Sequence, residues 1–211
     1  PLGAINNLDV RQQNSEIYLA ATNRSNQSVE YWVIDQDTFF ANTHESQDIF
    51  SLSKRSFSIA SSIDIYGICI GMIGGTPVAF ATEDGGPSVE MWTLENQKLI
   101  GVFDNGGESE GCVFDDENQT LFISEEETNG VLKAYNPVDG TEKWSVTFTG
   151  ENAEQGGPAV AADGTVYLGN AGGKMQAFNP ATGAIIWTYT ASAGIEVVPA
   201  IDNDGKIYFG A

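Results

Sequence analysis

The sequence is poor in basic residues and rich in acidic ones. Of its 211 residues only 9 are Lys or Arg, against 29 Asp or Glu, so the formal net charge is −20. Proteins that bind nucleic acids hold the phosphate backbone through clustered Lys and Arg, so we expect no nucleic-acid partner. The carboxylates instead make cations the natural ligands of the surface.

Histidine and cysteine are also scarce. The one histidine, His44, lies in the polar run ANTHESQD, where we expect a solvated loop, so Ser-His-Asp and Cys-His chemistries are disfavoured. The two cysteines, Cys69 and Cys112, each lie in an apolar run, and the sequence contains no CxxC motif. We therefore predict two buried free thiols in preference to a disulfide.

The sequence has no uninterrupted apolar segment that suits a membrane helix. Residues 65–82 carry no charge, but Gly74, Gly75 and Pro77 interrupt them and predict a hairpin of two short strands. We expect no membrane partner. The acidic, lysine-poor composition suits a secreted or periplasmic protein, and the start at Pro1 indicates either a removed segment or a foreign Pro-Leu-Gly leader.

A repeat of about forty residues organises the chain. Three aromatic segments align, at VEMWTLENQKLIGVF (89–103), LKAYNPVDGTEKWSV (132–146) and MQAFNPATGAIIWTY (175–189). They place Trp92, Tyr135 and Phe178 in equivalent positions, 43 residues apart. An earlier copy contains SVEYW (28–32) and is followed by a polar insertion around residues 41–62, and a last copy starts at Val198 and stops with the chain.

Each repeat consists of short runs of β-branched and aromatic residues separated by Gly, Asn and Asp, and none shows a helical period. Four antiparallel strands per unit, repeated radially, predict an all-β fold, a β-propeller of four-stranded blades. We expect a single domain over residues 1–211 with about five blades, the last incomplete. A β-sandwich is the alternative fold.

An incomplete last blade leaves the ring open. We expect residues 1–7, another copy of the chain or a further segment to close it; otherwise the chain is a fragment of a longer protein. The tryptophans recur within units, so we interpret them as packing between blades, and we interpret Asp202–Gly205 as a turn in preference to a calcium loop.

Several motifs in the first part of the chain resemble the β-propeller phytases. They occur in the family's order and with compatible spacing over about residues 5–135. The matching segments are NNLDVR (6–11), AATNRS (20–25), YG (66–67), ESEGCVFDDE (108–117) and LFISEEE (121–127).

The resemblance implies a calcium-dependent phosphomonoesterase that acts on phytate, or on another phosphomonoester, at the top face of the ring. It implies calcium ligation by Glu110 and Glu126, with Tyr66 bordering the calcium cluster, and a phosphate-holding role for Arg24. Asp9, next to Arg11 in the first motif, is a further candidate metal ligand. The alternative is that Asp115–Glu117 form a hairpin turn and Glu125–Glu127 a solvated strand end.

The sequence departs from the phytase pattern in three respects. The family's opening acidic motif is absent, an acidic run (83–85) replaces an expected lysine, and from Leu132 onward the units resemble the PQQ-type propeller repeat. We therefore divide the chain into phytase-like blades (1–135) and PQQ-like blades (136–211). The second hypothesis is a non-catalytic scaffold or a hybrid of two propeller lineages. We expect no bound PQQ, and a quinone dehydrogenase is disfavoured.

Overall fold

β-Strands are the dominant elements of the described chain, with one short helix among them. The computed structural model describes residues 5–41, 53–125, 130–147 and 156–211. The first sheet contains β1 (Ile5–Gln13), β2 (Glu16–Asn23), β3 (Ser28–Asp35) and β4 (Ser53–Ala60), with helix α1 (Gln36–Ala41) before β4. The second contains β5 (Ile65–Ile73), β6 (Thr76–Glu83), β7 (Ser88–Thr93) and β8 (Lys98–Asp104). The third contains β9 (Ser109–Asp115), β10 (Thr120–Glu125), β11 (Val131–Tyr135) and β12 (Glu142–Thr147). The fourth contains β13 (Ala159–Val160), β14 (Val166–Gly169), β15 (Lys174–Phe178) and β16 (Ile185–Thr190), and β17 (Ala200–Ile201) pairs with β18 (Ile207–Tyr208).

The sheets are blades arranged around an axis. Within each four-stranded sheet the strands are antiparallel and follow chain order, and the last sheet has two strands. The first strands of all five sheets line one cavity of about 280 Å³, to which Asp9, Ile68, Cys112, Ala159 and Ile201 contribute. Four complete blades and a partial fifth confirm the predicted architecture.

A shared irregularity confirms the 43-residue repeat. The pairing of the third and fourth strands shifts register at Met91/Trp92, at Ala134/Tyr135 and at Ala177/Phe178. Trp92, Tyr135 and Phe178 are all buried at these bulges. The aligned aromatic residues therefore occupy equivalent positions in successive blades.

The blades pack on one another through aromatic side chains, and the packing between blades predicted for the tryptophans holds for Trp144 but not for Trp32, whose buried neighbours belong to its own blade. Phe80 of the second blade stacks on Phe114 of the third, with ring centroids 5.3 Å apart. The Trp144 indole N–H of the third blade donates to the Pro180 carbonyl of the fourth at 2.9 Å. These contacts bury the blade faces that would otherwise be exposed to water.

The prediction of two free thiols is wrong, because Cys69 and Cys112 form a disulfide. The two residues lie on β5 and β9, the innermost strands of adjacent blades, with their Cα atoms 5.7 Å apart. Their separation of 43 residues equals the repeat length, so they occupy the same position in successive blades. Innermost strands converge on the axis, which brings equivalent positions within disulfide reach.

The predicted turns are present where the structure describes them. Gly74 and Gly75 connect β5 to β6 with φ angles of 58° and 81°, a conformation that glycine adopts without strain. Asp115–Glu117 lead from β9 into the turn before β10, and Asp202–Gly205 form the turn between β17 and β18. The calcium-loop alternative for Asp202–Gly205 is thereby disfavoured.

The predicted closure by residues 1–7 is wrong for residues 5–7. These belong to β1, which pairs with β2 as the innermost strand of the first blade. Residues 1–4 and His44 lie outside the described residues. In the part of the chain that the structure describes, no helix is long and apolar enough to cross a membrane.

Candidate functional site

Part of the predicted site lies at one face of the ring. Because successive strands alternate in direction, the innermost strands begin, and the second strands end, at the same face, which we call the top face. The loops after β2, β4, β6 and β8 all lie there. The turns between first and second strands lie at the opposite, bottom face.

Arg24 and Tyr66, two of the predicted site residues, meet at the top face. Arg24 follows the end of β2, and Tyr66 is the second residue of β5 in the next blade. The guanidinium carbon of Arg24 lies 5.7 Å from the centre of the Tyr66 ring, a cation–π distance. The Thr22 hydroxyl donates to the Tyr66 backbone carbonyl at 2.8 Å and ties the two strands together.

Two aspartates surround the Arg24 guanidinium. Its Nη2 donates to the carboxylate of Asp84, and Asp64 Oδ2 lies 3.9 Å away. About a third of the side chains of Arg24 and Asp84 remains exposed, at 37% and 31%. Exposed ion pairs are weak, so the guanidinium can exchange Asp84 for another anion at small cost.

Gln27 fixes the geometry of this group, and nothing in the sequence singled it out. Its side-chain amide donates to the Arg24 carbonyl at 3.0 Å and to Asp64 Oδ1 at 2.8 Å. Its amide oxygen accepts the Ile65 N–H at 3.1 Å. One side chain therefore joins the loop that carries Arg24 to the strand that carries Tyr66.

The two predicted calcium-binding glutamates belong to the third blade. Glu110 is the second residue of β9, so its backbone lies at the top face, although its side chain is outside what the structure describes. Glu126 lies outside the described residues. Its predecessor Glu125 ends β10 and pairs in register with Ser109 at the same face.

Glu125 is buried, which corrects the alternative that it belongs to a solvated strand end. Its side chain is 0% exposed and lies 2.8 Å from the Lys133 ammonium. Asn105 Nδ2 donates to the same carboxylate at 2.9 Å, and the Asn105 carbonyl accepts from Lys133 at 2.6 Å. Since Ile123 pairs with Lys133, the two charged residues are diagonal neighbours on one sheet face, a relation that strand register could have revealed.

Tyr135 completes this buried group. Its hydroxyl donates to the Asn105 carbonyl at 2.9 Å. Burial, followed by the negative charge of Glu125, raises the pKa of Tyr135 well above its ordinary value. The tyrosine is therefore a neutral hydrogen-bond donor at the base of the top face.

The structure does not bring Asp9 to Arg24 and Tyr66. Its carboxylate accepts the N–H groups of Ile70 at 2.7 Å and Val10 at 2.8 Å, and thereby bridges β1 to β5. Ile70 lies four residues along β5 from Tyr66, which is about 13 Å of strand. Burial raises the pKa of Asp9, although the Ile70 hydrogen bond and the Arg11 charge oppose that change.

Arg11 points toward the bottom face. Its guanidinium donates to the carbonyls of Ile70 at 3.0 Å and Phe114 at 2.7 Å, and it lies 3.4 Å from Asp116 Oδ2. These contacts tie the first strands of three blades together. They give Arg11 a structural role away from the Arg24 group.

The top face offers oxygen ligands, which are the type of ligand that a hard cation such as calcium prefers. Carboxylates and amides are present there without cysteine or histidine in the described ranges. The amide oxygens of Asn23 and Asn105 are buried and accept no hydrogen bond from the described residues. Within those residues, no three Asp, Glu, His or Cys side chains are grouped closely enough to hold a metal.

Known proteins resemble this chain in sequence and in fold. Residues 128–209 match the family model described as PQQ_2, outer membrane protein assembly factor BamB. This match confirms the PQQ-type repeat predicted for the end of the chain. The quinoprotein alcohol dehydrogenase PedH of Pseudomonas putida is 25% identical over 150 residues, which are 70% of this chain and 24% of PedH.

Two solved structures show the same arrangement of strands. Hydrazine synthase of Kuenenia stuttgartiensis superposes with a TM-score of 0.73 at 13% identity, over 97% of this chain and 54% of that one. BamB of Moraxella catarrhalis superposes with a TM-score of 0.63 at 15% identity, over 92% of this chain and 55% of that one. The fold is a β-propeller. At these identities the likeness concerns the fold alone, and the chain spans about half of each solved chain.

Proposed function

We propose that the top face binds a phosphate monoester and, with calcium, hydrolyses it. The observation that carries the proposal is the meeting of Arg24 and Tyr66 between the first two blades. These residues lie in separate motifs of the phytase resemblance. Two motifs that are distant in the sequence are therefore in contact at one surface.

Arg24 is the residue that holds the phosphate. Its guanidinium presents paired N–H donors that match two phosphate oxygens. Asp84 and Asp64 hold it at the surface, and the Tyr66 ring supports it from one side. A phosphate that binds there replaces the Asp84 carboxylate as the anionic partner of Arg24, so the guanidinium need not move far.

Because the chain has a net charge of −20, it repels a highly charged anionic substrate. Binding of such a substrate therefore needs an additional cation. Glu110 and Glu126 would hold calcium, with amide or carbonyl oxygens completing its coordination. Bound calcium supplies neutralisation of the phosphate charge and a more acidic water. Phytate is the expected substrate, and other phosphomonoesters share the same chemistry.

The test is phosphate release from phytate in calcium and in excess chelator. We expect release with calcium only, and Arg24→Gln should lower kcat/KM by on the order of 100-fold. Lys206→Gln is the matched control, because Lys206 also pairs with two aspartates but lies on the last blade. Absence of calcium-dependent release, or full activity in Glu110→Gln, would refute the proposal.

A non-catalytic scaffold is the second candidate, and one observation favours it. Asp84, the partner of Arg24, belongs to the acidic run (83–85) that replaces the lysine expected from the phytase pattern. The site would thus lack the expected lysine, and an aspartate from the run that replaces it forms an ion pair with Arg24. This candidate predicts a folded protein that releases no phosphate and whose melting temperature is independent of calcium.

We also propose a secreted or periplasmic location. The Cys69–Cys112 disulfide supports it, because disulfides persist in oxidising compartments. Acid quenching of source cells, followed by alkylation under denaturing conditions without reductant and by mass spectrometry, tests this location. Alkylation of both cysteines would contradict it.

A further inference from the structure

A buried glutamate of the second blade holds the loop that connects the first two blades. Glu90 is the third residue of β7 and is 0% exposed. Its Oε2 accepts a hydrogen bond from the Ser61 hydroxyl at 2.7 Å, while its Oε1 accepts the Ser62 N–H at 3.1 Å and the Ser62 hydroxyl. Both serines belong to the loop (61–64) between β4 and β5. Since a buried carboxylate is stable only when donors surround it, Glu90 and this loop fix each other.

The indole of Trp92 completes the donors around this carboxylate. Its N–H donates to Glu90 Oε2 at 3.1 Å, so each carboxylate oxygen accepts one N–H and one O–H. A glutamine side chain has one oxygen and one NH2 group, and the NH2 group cannot accept an N–H. Glutamine at this position would therefore satisfy the two serines only if the indole N–H were removed.

The equivalent residue of the next blade holds the next loop. Lys133 follows Glu90 by 43 residues and is likewise the third residue of its strand, β11. Its ammonium donates to the carbonyl of Asn105, which directly follows β8, the last strand of the second blade. Glu90 and Lys133 carry opposite charges, yet each binds the connection that leads into its own blade. The repeat therefore uses this third-strand position to fix loops of the top face.

The loop that Glu90 holds also arranges the residues around Arg24. The Gln27 amide donates to Asp64 Oδ1 at 2.8 Å, and the Asp64 carbonyl accepts the Asp84 N–H at 2.6 Å. Asp64 and Asp84 are the two carboxylates beside the guanidinium. A displacement of this loop would therefore move both anionic partners of Arg24 together with the Gln27 contact.

We propose that Glu90 is a positioning residue of the phosphate site, a role that rests on the function proposed above. It acts through the loop that carries Asp64, and Gln27 connects Asp64 to the Arg24 backbone. A guanidinium held in one place binds an anion with a smaller loss of conformational entropy than a mobile one. All of these residues belong to the first two blades, each of which has four strands.

The test titrates inorganic phosphate and observes the side-chain Nε–H of Arg24 by NMR. The chain has three arginines, so the spectrum contains few such signals, and Arg24→Gln identifies the signal of Arg24. In the wild type we expect a saturable shift of this signal. Glu90→Leu removes all four acceptor contacts at a similar side-chain volume, so it should move the ligand-free Arg24 signal and weaken phosphate binding about tenfold.

Two variants separate positioning from a general loss of stability. Asp115→Leu removes another buried carboxylate that holds a turn through several donors, at the bottom face of the third blade, and should leave the Arg24 signal and the phosphate affinity unchanged. Glu90→Gln combined with Trp92→Phe keeps the serine contacts and removes the opposing indole N–H. Its phosphate affinity should stay within about threefold of the wild type. Equal weakening by Asp115→Leu and Glu90→Leu would overturn the proposal.

A milder variant tests the same loop if Glu90→Leu does not fold. Ser61→Ala with Ser62→Ala removes the two hydroxyl donors and should weaken phosphate binding about threefold. An Arg24 signal that phosphate does not shift, or equal phosphate affinity in the wild type and the loop variants, overturns the proposal.

Phytate release in calcium distinguishes the positioning role from the catalytic proposal. Hydrolysis with unchanged kcat and KM in Glu90→Leu removes the positioning role and leaves the proposed function. Phosphate binding that depends on Glu90, without any hydrolysis of phytate, removes the catalytic proposal and leaves the positioning role.

Discussion

Loss of the Cys69–Cys112 disulfide should destabilise the propeller by a calculable amount. The bond closes a loop of 43 residues between adjacent blades. The chain-entropy relation gives about 4 kcal/mol at 25 °C for a loop of this length. With a urea dependence of about 2 kcal/mol per molar, the unfolding midpoint should fall by about 2 M.

The assay compares urea unfolding of the oxidised protein with that of protein unfolded, reduced and refolded under reductant. This comparison preserves every side chain except for two thiol hydrogens, so it introduces no cavity at the buried Cys69. Mass spectrometry after alkylation confirms the redox state of each sample. Equal midpoints for verified oxidised and reduced samples would refute the entropic argument.

Three further predictions concern packing and charge. Lys133→Met leaves the buried Glu125 carboxylate without its cation and should cost about 3–5 kcal/mol in urea unfolding, and Glu125→Gln added to it should recover part of the loss. Gly183→Ala should destabilise by about 1–3 kcal/mol more than Gly205→Ala, because both sites have positive φ but only Gly183 contacts a tryptophan; equal losses would contradict the collision. Because burial raises the pKa of Asp9, the contribution of Asp9 to stability is greatest below the ordinary aspartate pKa and decreases as pH rises through the raised value. Asp9→Asn should therefore flatten the decrease in urea midpoint above about pH 4, and an unchanged pH profile would contradict this assignment.

The blade architecture was predictable because each blade of a propeller corresponds to one copy of a sequence repeat. Trp92, Tyr135 and Phe178 fixed the period, and the glycine-rich turns fixed the strand ends. Helix α1 was not predicted, because its six residues (Gln36–Ala41) are too few to show a helical period. The disulfide was missed although the cysteines share the repeat spacing, because equivalence in sequence was not extended to proximity at the axis.

The candidate site was predictable only in part. Arg24 and Tyr66 belong to motifs that can be recognised in the sequence. The contact between their side chains follows from the order of the blades. Gln27, Asp64 and Asp84 act through side-chain contacts between loops, which no short motif encodes. The burial of Glu125 depends on Lys133, eight positions later, and becomes visible only once the register of β10 and β11 is known.

The most direct test of the calcium-dependent phosphate site is a crystal structure with calcium and the hexasulfate analogue of phytate. We expect calcium at the top face, bound by Glu110 and Glu126, and a sulfate group on the Arg24 guanidinium. Calcium bound elsewhere, or Arg24 still paired with Asp84 while sulfate occupies another surface, would contradict it.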